Sequence, residues 1–181
     1  MSDLIFIHVP KTGGLSVTSF LRKGKKDDNA PRVLRGKRPH STAADIREHV
    51  GAEVFDAATK FAVVREPQER FMSACRYLKL LPQRKGPIKL ATVETPATFR
   101  ETLFRKQSDF LCIDGELVVD KLFHFEEDID GAIYDWLIEQ GFDPEHQTKL
   151  PWANRTRRAM PYRIIDEERE QWIRDHYARD Y

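Results

Sequence analysis

The sequence predicts an α/β fold, a three-layer sandwich in which helices cover both faces of a mainly parallel sheet. Short apolar runs typical of strands buried on both faces lie at residues 4–9, 60–65 and 122–125. Segments with helical periodicity alternate with these runs, as expected for parallel strands joined by crossover helices. They lie at residues 16–21, 41–49, 68–80, 96–106, 129–140 and 166–177. Asp114-Gly115, between residues 109–113 and 116–119, predicts an additional β-hairpin.

The chain length suits one domain, which we expect to span residues 1–181. Cys75 and Cys112 lie far apart and form no CxxC motif, which argues for two reduced thiols rather than a zinc site or a disulfide framework. No apolar run is long enough to span a membrane, and the N-terminal residues lack the features of a secretory signal. We therefore expect no transmembrane segment and a cytoplasmic location.

Charge is balanced overall but unevenly distributed. The net charge of +1 is low for a dedicated nucleic-acid binder, so nucleic acid is not an expected partner. Basic side chains are nevertheless concentrated in residues 22–38, 74–93 and 146–165, and the last two segments contain no acidic residue. Three such basic segments in one small domain favour a polyanionic ligand.

The first predicted strand leads into a loop suited to binding an anion. Its sequence is Lys11-Thr12-Gly13-Gly14-Leu15-Ser16, followed by a predicted helix. Glycines allow close approach of the backbone, and the helix N-terminus attracts negative charge. Lys11 adds a cation, and Thr12 and Ser16 add hydroxyl donors. The lysine precedes both glycines, unlike the order GxxxxGK[ST] of ATP- and GTP-hydrolysing enzymes, so that class is disfavoured.

A second candidate anion site follows the second predicted strand. Arg65 lies at the carboxyl end of that strand, where open α/β sheets bind ligands. Pro67 suits the start of a helix, and Ser73 lies about two turns into it. An arginine fork with a nearby hydroxyl is suited to gripping a terminal phosphate.

Together these two segments resemble those of the sulfotransferases. Residues 9–16 are similar to that family's loop for the 5′-phosphosulfate of PAPS (3′-phosphoadenosine 5′-phosphosulfate), and residues 64–73 to its 3′-phosphate motif. The closer match is to the carbohydrate-type branch, which includes the uronosyl 2-O-sulfotransferases and small bacterial relatives. The similarity extends to residues 106–111, 123–126 and 150–156. Two departures are Leu15, where a threonine is common, and Glu66, where an aspartate is usual.

The resemblance implies a fold like that of the P-loop-containing nucleotide hydrolases, PAPS as donor and no essential metal. It implies donor binding by residues 11–16, with Lys11 also stabilising the leaving phosphate, and by Arg65 and Ser73. It further implies a late basic loop over the nucleotide, for which the candidates are Arg155, Arg157 and Arg158. Trp152 could stack on a base or pack in the core. The acceptor would carry a hydroxyl, as a glycan, a lipid or a small alcohol does.

Transfer to a hydroxyl calls for a general base. His40 is the first candidate, because its position resembles that of a histidine upstream of the 3′-phosphate motif in the uronosyl 2-O-sulfotransferases. His8 is the rival, and Asp45 is the next candidate. His124 is expected in the core. Two other functions remain open at this point: a kinase-like ATP enzyme, and a non-catalytic module that binds nucleotides or sulfated glycans.

Overall fold

The computed structural model describes residues 2–23, 31–80, 97–142, 150 and 167–180. Its main sheet is parallel throughout and has the order β2-β1-β3-β6. The strands of this sheet are β1 (Leu4–Ile7), β2 (Val33–Leu34), β3 (Thr59–Val64) and β6 (Lys121–His124). Helices flank the sheet, so the predicted α/β sandwich around a parallel sheet is confirmed.

Alternate residues of the central strand β1 face opposite layers of helices, as the two-residue period of a strand requires. Leu4 and Phe6 pack with Val17 and Phe20 of α1 (Gly14–Lys23) and with α7 (Ile129–Glu139). On the other face, Ile5 and Ile7 pack with three helices. These are α2 (Ala43–Val50), α3 (Ala52–Ala57) and α6 (Ser108–Leu111). A third cluster joins α4 (Pro67–Tyr77), α5 (Ala97–Phe104) and α8 (Glu167–His176).

Strand β6 differs from the prediction of a third buried strand. It pairs with β3 alone among the described strands, and Phe123 is its single buried residue. His124 is exposed, so its expected place in the core is wrong. The apolar residues at 122–125 indicate a strand, but its position at the edge of the sheet formed by the described strands depends on the order of strands in the fold.

The predicted hairpin is present in a shorter form. Strands β4 (Cys112–Ile113) and β5 (Glu116–Leu117) are antiparallel, and both turn residues have positive φ, 52° at Asp114 and 86° at Gly115. Such a pair is typical of a type I′ turn. Residues 108–111 form the short helix α6 rather than a strand, because the Asp180 carboxylate accepts the N–H groups at its start.

Both cysteines are free, and burial raises the pKa of the Cys75 thiol to about 12. Within the described part of the chain, no helix combines the length and apolarity needed to cross a bilayer. Over the same residues, no group of three or more His, Cys, Asp or Glu side chains is arranged to hold a metal ion.

Candidate functional site

The loop between β1 and α1 turns sharply at the carboxyl end of the sheet. Lys11 adopts φ 68° and Gly13 φ 81°, and the left-handed region is uncommon for a lysine. Thr12 is fully buried, and its hydroxyl donates to the Val9 carbonyl at 2.9 Å. In this arrangement that hydroxyl closes the loop on itself rather than facing outward. The expected contact of Thr12 with the donor stays a prediction.

The two glycines of the loop are required by their surroundings. A Cβ on Gly14 would lie 2.0 Å from the His8 ring, and one on Gly13 would lie 3.0 Å from the Phe125 ring. Helix α1 begins at Gly14, so the N–H groups of Gly14 and Leu15 lie in its first turn, where no intrahelical acceptor exists. The Ser16 N–H already donates to the Gly13 carbonyl at 2.9 Å. The loop thus offers backbone donors at a helix N-terminus.

Arg65 lies directly beside this loop, because β1 and β3 are neighbouring parallel strands. Its Nη1 donates to the Lys11 carbonyl at 3.4 Å, and its guanidinium carbon lies over the Phe125 ring, 4.3 Å from the centroid. Two carboxylates also approach it: Glu69 lies 3.4 Å from Nη2, and Glu126 lies 3.8 Å from Nε. The guanidinium is therefore held between the loop, helix α4 and the end of β6.

One face of α4 carries Ser73, the remaining donor-site candidate on this helix, together with two residues that contact Arg65 or Lys11. Glu69, Ser73 and Tyr77 recur every four residues, so they line one side of the helix. Glu69 pairs with Arg65, and the Lys11 ammonium lies 4.1 Å above the Tyr77 ring. Half-buried Ser73 lies between them along the helix. Lys11 and Arg65 thus both contact residues of this face of α4, on which Ser73 also lies, and the role of Ser73 at the donor site stays a prediction.

The two cations of this site affect each other. Burial lowers the pKa of the Lys11 ammonium below its ordinary value, and the charge of Arg65 acts in the same direction. Like charges held close together in a partly buried place repel. An anionic ligand between Lys11 and Arg65 would relieve that repulsion.

His40 is positioned by a compact loop ahead of α2. It has φ 61°, and Gly36 permits the loop, because a Cβ there would lie 2.2 Å from the Ser41 side chain. A capping box between Thr42 and Asp45 starts the helix, with the Asp45 carboxylate accepting the Thr42 N–H at 2.8 Å. Asp45, the third candidate base, is thus engaged in holding the helix end.

His40 and His8 are in direct contact and have different environments. Their ring centroids lie 4.2 Å apart, and His40 Nδ1 lies 3.0 Å from the His8 carbonyl oxygen. Because a carbonyl can only accept, Nδ1 carries the proton, and Nε2 of the neutral ring has the lone pair. Burial lowers the pKa of His40, Lys11 lowers it further, and the bond to His8 opposes the shift.

Burial, with help from His40 and Arg35, lowers the pKa of His8 to about 3. Its ring lies against Phe6 and over Gly14. A base with so low a pKa has little driving force to take a proton from a hydroxyl near neutral pH. Of the two histidines, His40 has the environment better suited to a general base.

Several residues of the site were not among those predicted. Gln107, Glu126, Phe125, Glu69 and Tyr77 all contact Lys11 or Arg65. Glu69 and Tyr77 lie four residues before and after Ser73 in one predicted helix, so the sequence could have indicated them as neighbours of Ser73 on the same helix face. No spacing rule relates Gln107 or Glu126 to Arg65, since these contacts depend on the order of strands.

Arg70, which belongs to the same sequence motif as Arg65, has a structural role. It is 1% exposed and donates to the carbonyl oxygens of Leu103 and Arg105. Burial lowers its pKa. Arg155, Arg157 and Arg158, the candidates for the late basic loop, lie outside the described residues, as does Trp152.

Comparison with known proteins places these residues in a family. A family model described as the sulfotransferase family matches residues 2–112, more than half of the chain. This range includes the loop at residues 11–16, His40, Arg65, Ser73 and Gln107. No curated protein and no solved structure matches the chain. The chain therefore belongs to the sulfotransferase family, a family of transferases.

Proposed function

We propose that the protein transfers a sulfuryl group from PAPS to an acceptor hydroxyl, with His40 as general base and Lys11 as the cation that stabilises the leaving phosphate. The observation that carries the proposal is the convergence of the two cations at the carboxyl ends of β1 and β3. The guanidinium of Arg65 donates to the carbonyl of Lys11, and the pKa of Lys11 responds to Arg65.

The donor would be bound at two places. The loop at residues 11–16, through N–H groups such as those of Gly14 and Leu15 and through the α1 dipole, suits the 5′-phosphosulfate. Arg65 and Ser73 suit the 3′-phosphate, because a guanidinium offers parallel donors to phosphate oxygens. The position of the Arg65 guanidinium over the Phe125 ring supports this role, because an aromatic face attracts a cation and helps to hold it in place.

The donor supplies an activated sulfuryl group, and the residues of the chain handle charge and protons around its transfer. As the acceptor oxygen bonds to sulfur, Nε2 of His40 takes the hydroxyl proton. The bond between sulfur and the phosphate oxygen breaks, and Lys11 and the loop N–H groups stabilise the charge left on that oxygen. His40 and Lys11 are close enough for the charge of Lys11 to lower the pKa of His40.

The proposed reaction needs no metal ion. Phosphoryl transfer enlists magnesium because the transferred and leaving groups are both heavily charged. A sulfuryl group carries less charge, so one lysine with a helix N-terminus suffices. The acceptor would be a glycan, a lipid or a small alcohol. The carbohydrate branch is the first to test, on the resemblance noted above.

The test is incubation with ³⁵S-labelled PAPS and a panel of glycan, lipid and alcohol acceptors, with and without EDTA. We expect label to pass to one acceptor class at the same rate in both conditions. Absence of transfer to every acceptor, or transfer that EDTA abolishes and magnesium restores, would contradict the proposal. A thermal-shift comparison of PAP, which is PAPS without its sulfuryl group, with Mg-ATP independently checks which class of nucleotide binds, because a bound ligand raises the melting temperature.

A further inference from the structure

We propose that Gln107 is a positioning residue for donor binding, which acts by fixing the main chain of Arg65. The inference rests on the proposed function, because it assumes that Arg65 binds the 3′-phosphate. It goes beyond that function in assigning a role to a side chain that does not itself meet the nucleotide.

One buried amide satisfies both main-chain polar groups of Arg65. The Arg65 N–H donates to Gln107 Oε1 at 2.9 Å, and Gln107 Nε2 donates to the Arg65 carbonyl at 2.7 Å. Gln107 is 2% exposed, so water does not compete for these bonds. The register of β3 with β6 ends at Val64, one residue earlier. The Gln107 side chain therefore supplies to Arg65 the two bonds that a neighbouring strand would otherwise supply.

Fixing this main chain determines where the guanidinium can reach. With the N–H and carbonyl of Arg65 both bound, the direction of its Cα–Cβ bond is set. The guanidinium carbon then lies 4.3 Å from the centroid of the Phe125 ring, and Nη1 lies 3.4 Å from the Lys11 carbonyl oxygen. A small rotation of the Arg65 backbone would displace a guanidinium several bonds away by more than the tolerance of a two-point phosphate contact.

Gln107 is itself anchored from the end of the chain. The Asp180 carboxylate accepts the N–H groups of Gln107 at 2.7 Å and of Ser108 at 2.9 Å. The connection thus runs from the 3₁₀ turn Ala178–Asp180 through Gln107 to Arg65. A neighbouring bond provides a control: the Tyr177 hydroxyl donates to the Phe104 carbonyl at 2.7 Å rather than to the main chain of Arg65.

A purely structural role for Gln107 makes a different prediction from a positioning role. If the amide only stabilises the fold, its loss lowers the melting temperature and leaves nucleotide affinity unchanged. If it positions Arg65, its loss weakens binding only while Arg65 is present to be misplaced. A double-mutant cycle between the two residues separates these cases.

The experiment measures PAP affinity by calorimetry for the full chain, Gln107→Met, Arg65→Ala and the double variant. We expect Gln107→Met to weaken binding by roughly ten-fold, the low end of the loss on removing an outer-shell partner at metal sites. In the Arg65→Ala background the same change should cost less than two-fold. In turnover assays, KM for PAPS should rise while kcat at saturation stays within two-fold. Tyr177→Phe should lower the melting temperature and leave affinity unchanged.

Gln107→Asn, which keeps the amide but is one methylene shorter and so cannot hold both main-chain groups of Arg65 in the same way, provides the same cycle if the methionine variant does not fold. If a folded Gln107 variant binds PAP with wild-type affinity while Arg65→Ala binds it more weakly, the positioning role is overturned and the proposed function is not. An equal loss from the Gln107 change with and without Arg65 also overturns it. Failure of the wild-type chain to bind PAP, or undiminished binding by Arg65→Ala, overturns the proposed function as well.

Discussion

The His40 imidazole donates its Nδ1 proton to the main-chain carbonyl of His8 across 3.0 Å. This bond selects the tautomer in which Nε2 can accept a proton, and it orients the ring. His8 therefore contributes to the site through its backbone, while its own ring is held neutral over Gly14. The two histidines that the sequence offers as rival bases form one unit in the structure.

Replacing Arg65 tests the 3′-phosphate site. Arg65→Ala should weaken PAP binding by about 1.5–3 kcal/mol, the scale of a hydrogen bond to a charged group. The measurement is calorimetric titration with PAP. Arg47→Ala is a matched control, because Arg47 also pairs with a carboxylate, that of Asp56, but lies on α2 with its side chain 43% exposed. Equal affinities for the wild type and Arg65→Ala would remove Arg65 from the nucleotide site.

Replacing Tyr77 tests whether its aromatic ring holds the Lys11 ammonium in place. A cation above an exposed ring gains about 0.5–1 kcal/mol, so Tyr77→Leu should reduce PAP affinity by roughly two- to five-fold. Tyr77→Phe keeps the ring and should bind PAP as the wild type does. The Tyr77 side chain is 57% exposed, so neither change should unfold the protein. If the leucine and phenylalanine variants bind PAP equally well, the ring is not a support for Lys11.

We predict that the protein loses stability in acid because His8 is buried in its neutral form. Its folded pKa of about 3 lies below the ordinary 6.5, so the unfolded chain binds a proton that the folded chain does not. The contribution of neutral His8 is complete above pH 6.5 and decreases as the pH falls toward 3. Urea titrations at pH 7.5 and 5 should show a smaller difference in unfolding free energy for His8→Gln than for the wild type. An undiminished difference would mean that His8 is protonated in the fold.

The sequence is sufficient to predict the parallel sheet and the two segments that carry Lys11 and Arg65, because both depend on local patterns. A run such as residues 4–7 is recognisable as a buried strand from its composition, and the glycines mark the turn. The position of β6 at the edge of the described sheet and the helix at residues 108–111 could not be predicted, because they depend on the order of strands in space and on the distant Asp180 carboxylate. The closing of the loop by Thr12 is a local contact with the carbonyl of Val9, but which way the hydroxyl turns depends on the folded geometry of the loop.

The same reasoning explains which parts of the site were missed. Ser73 could be proposed because it lies in α4, the helix that begins at Pro67, two residues after Arg65 in sequence. Gln107 lies 42 residues from Arg65 in sequence, with α4 and α5 between them, and the two residues are in contact only in the folded chain. A contact between an amide side chain and a main chain leaves no pattern in a single sequence.

The most direct test of the central claim compares His40→Ala with Lys11→Ala, measuring PAP affinity and sulfuryl transfer on the same preparations. His40→Ala should leave PAP affinity unchanged and lower turnover by about 10²- to 10⁴-fold, the value of a general base. Lys11→Ala should impair both. Wild-type turnover should rise with pH through the His40 pKa, which lies below the ordinary 6.5, and His40→Ala should lose that rise. Near-normal turnover of His40→Ala, with turnover abolished in a folded His8→Ala, would contradict the account.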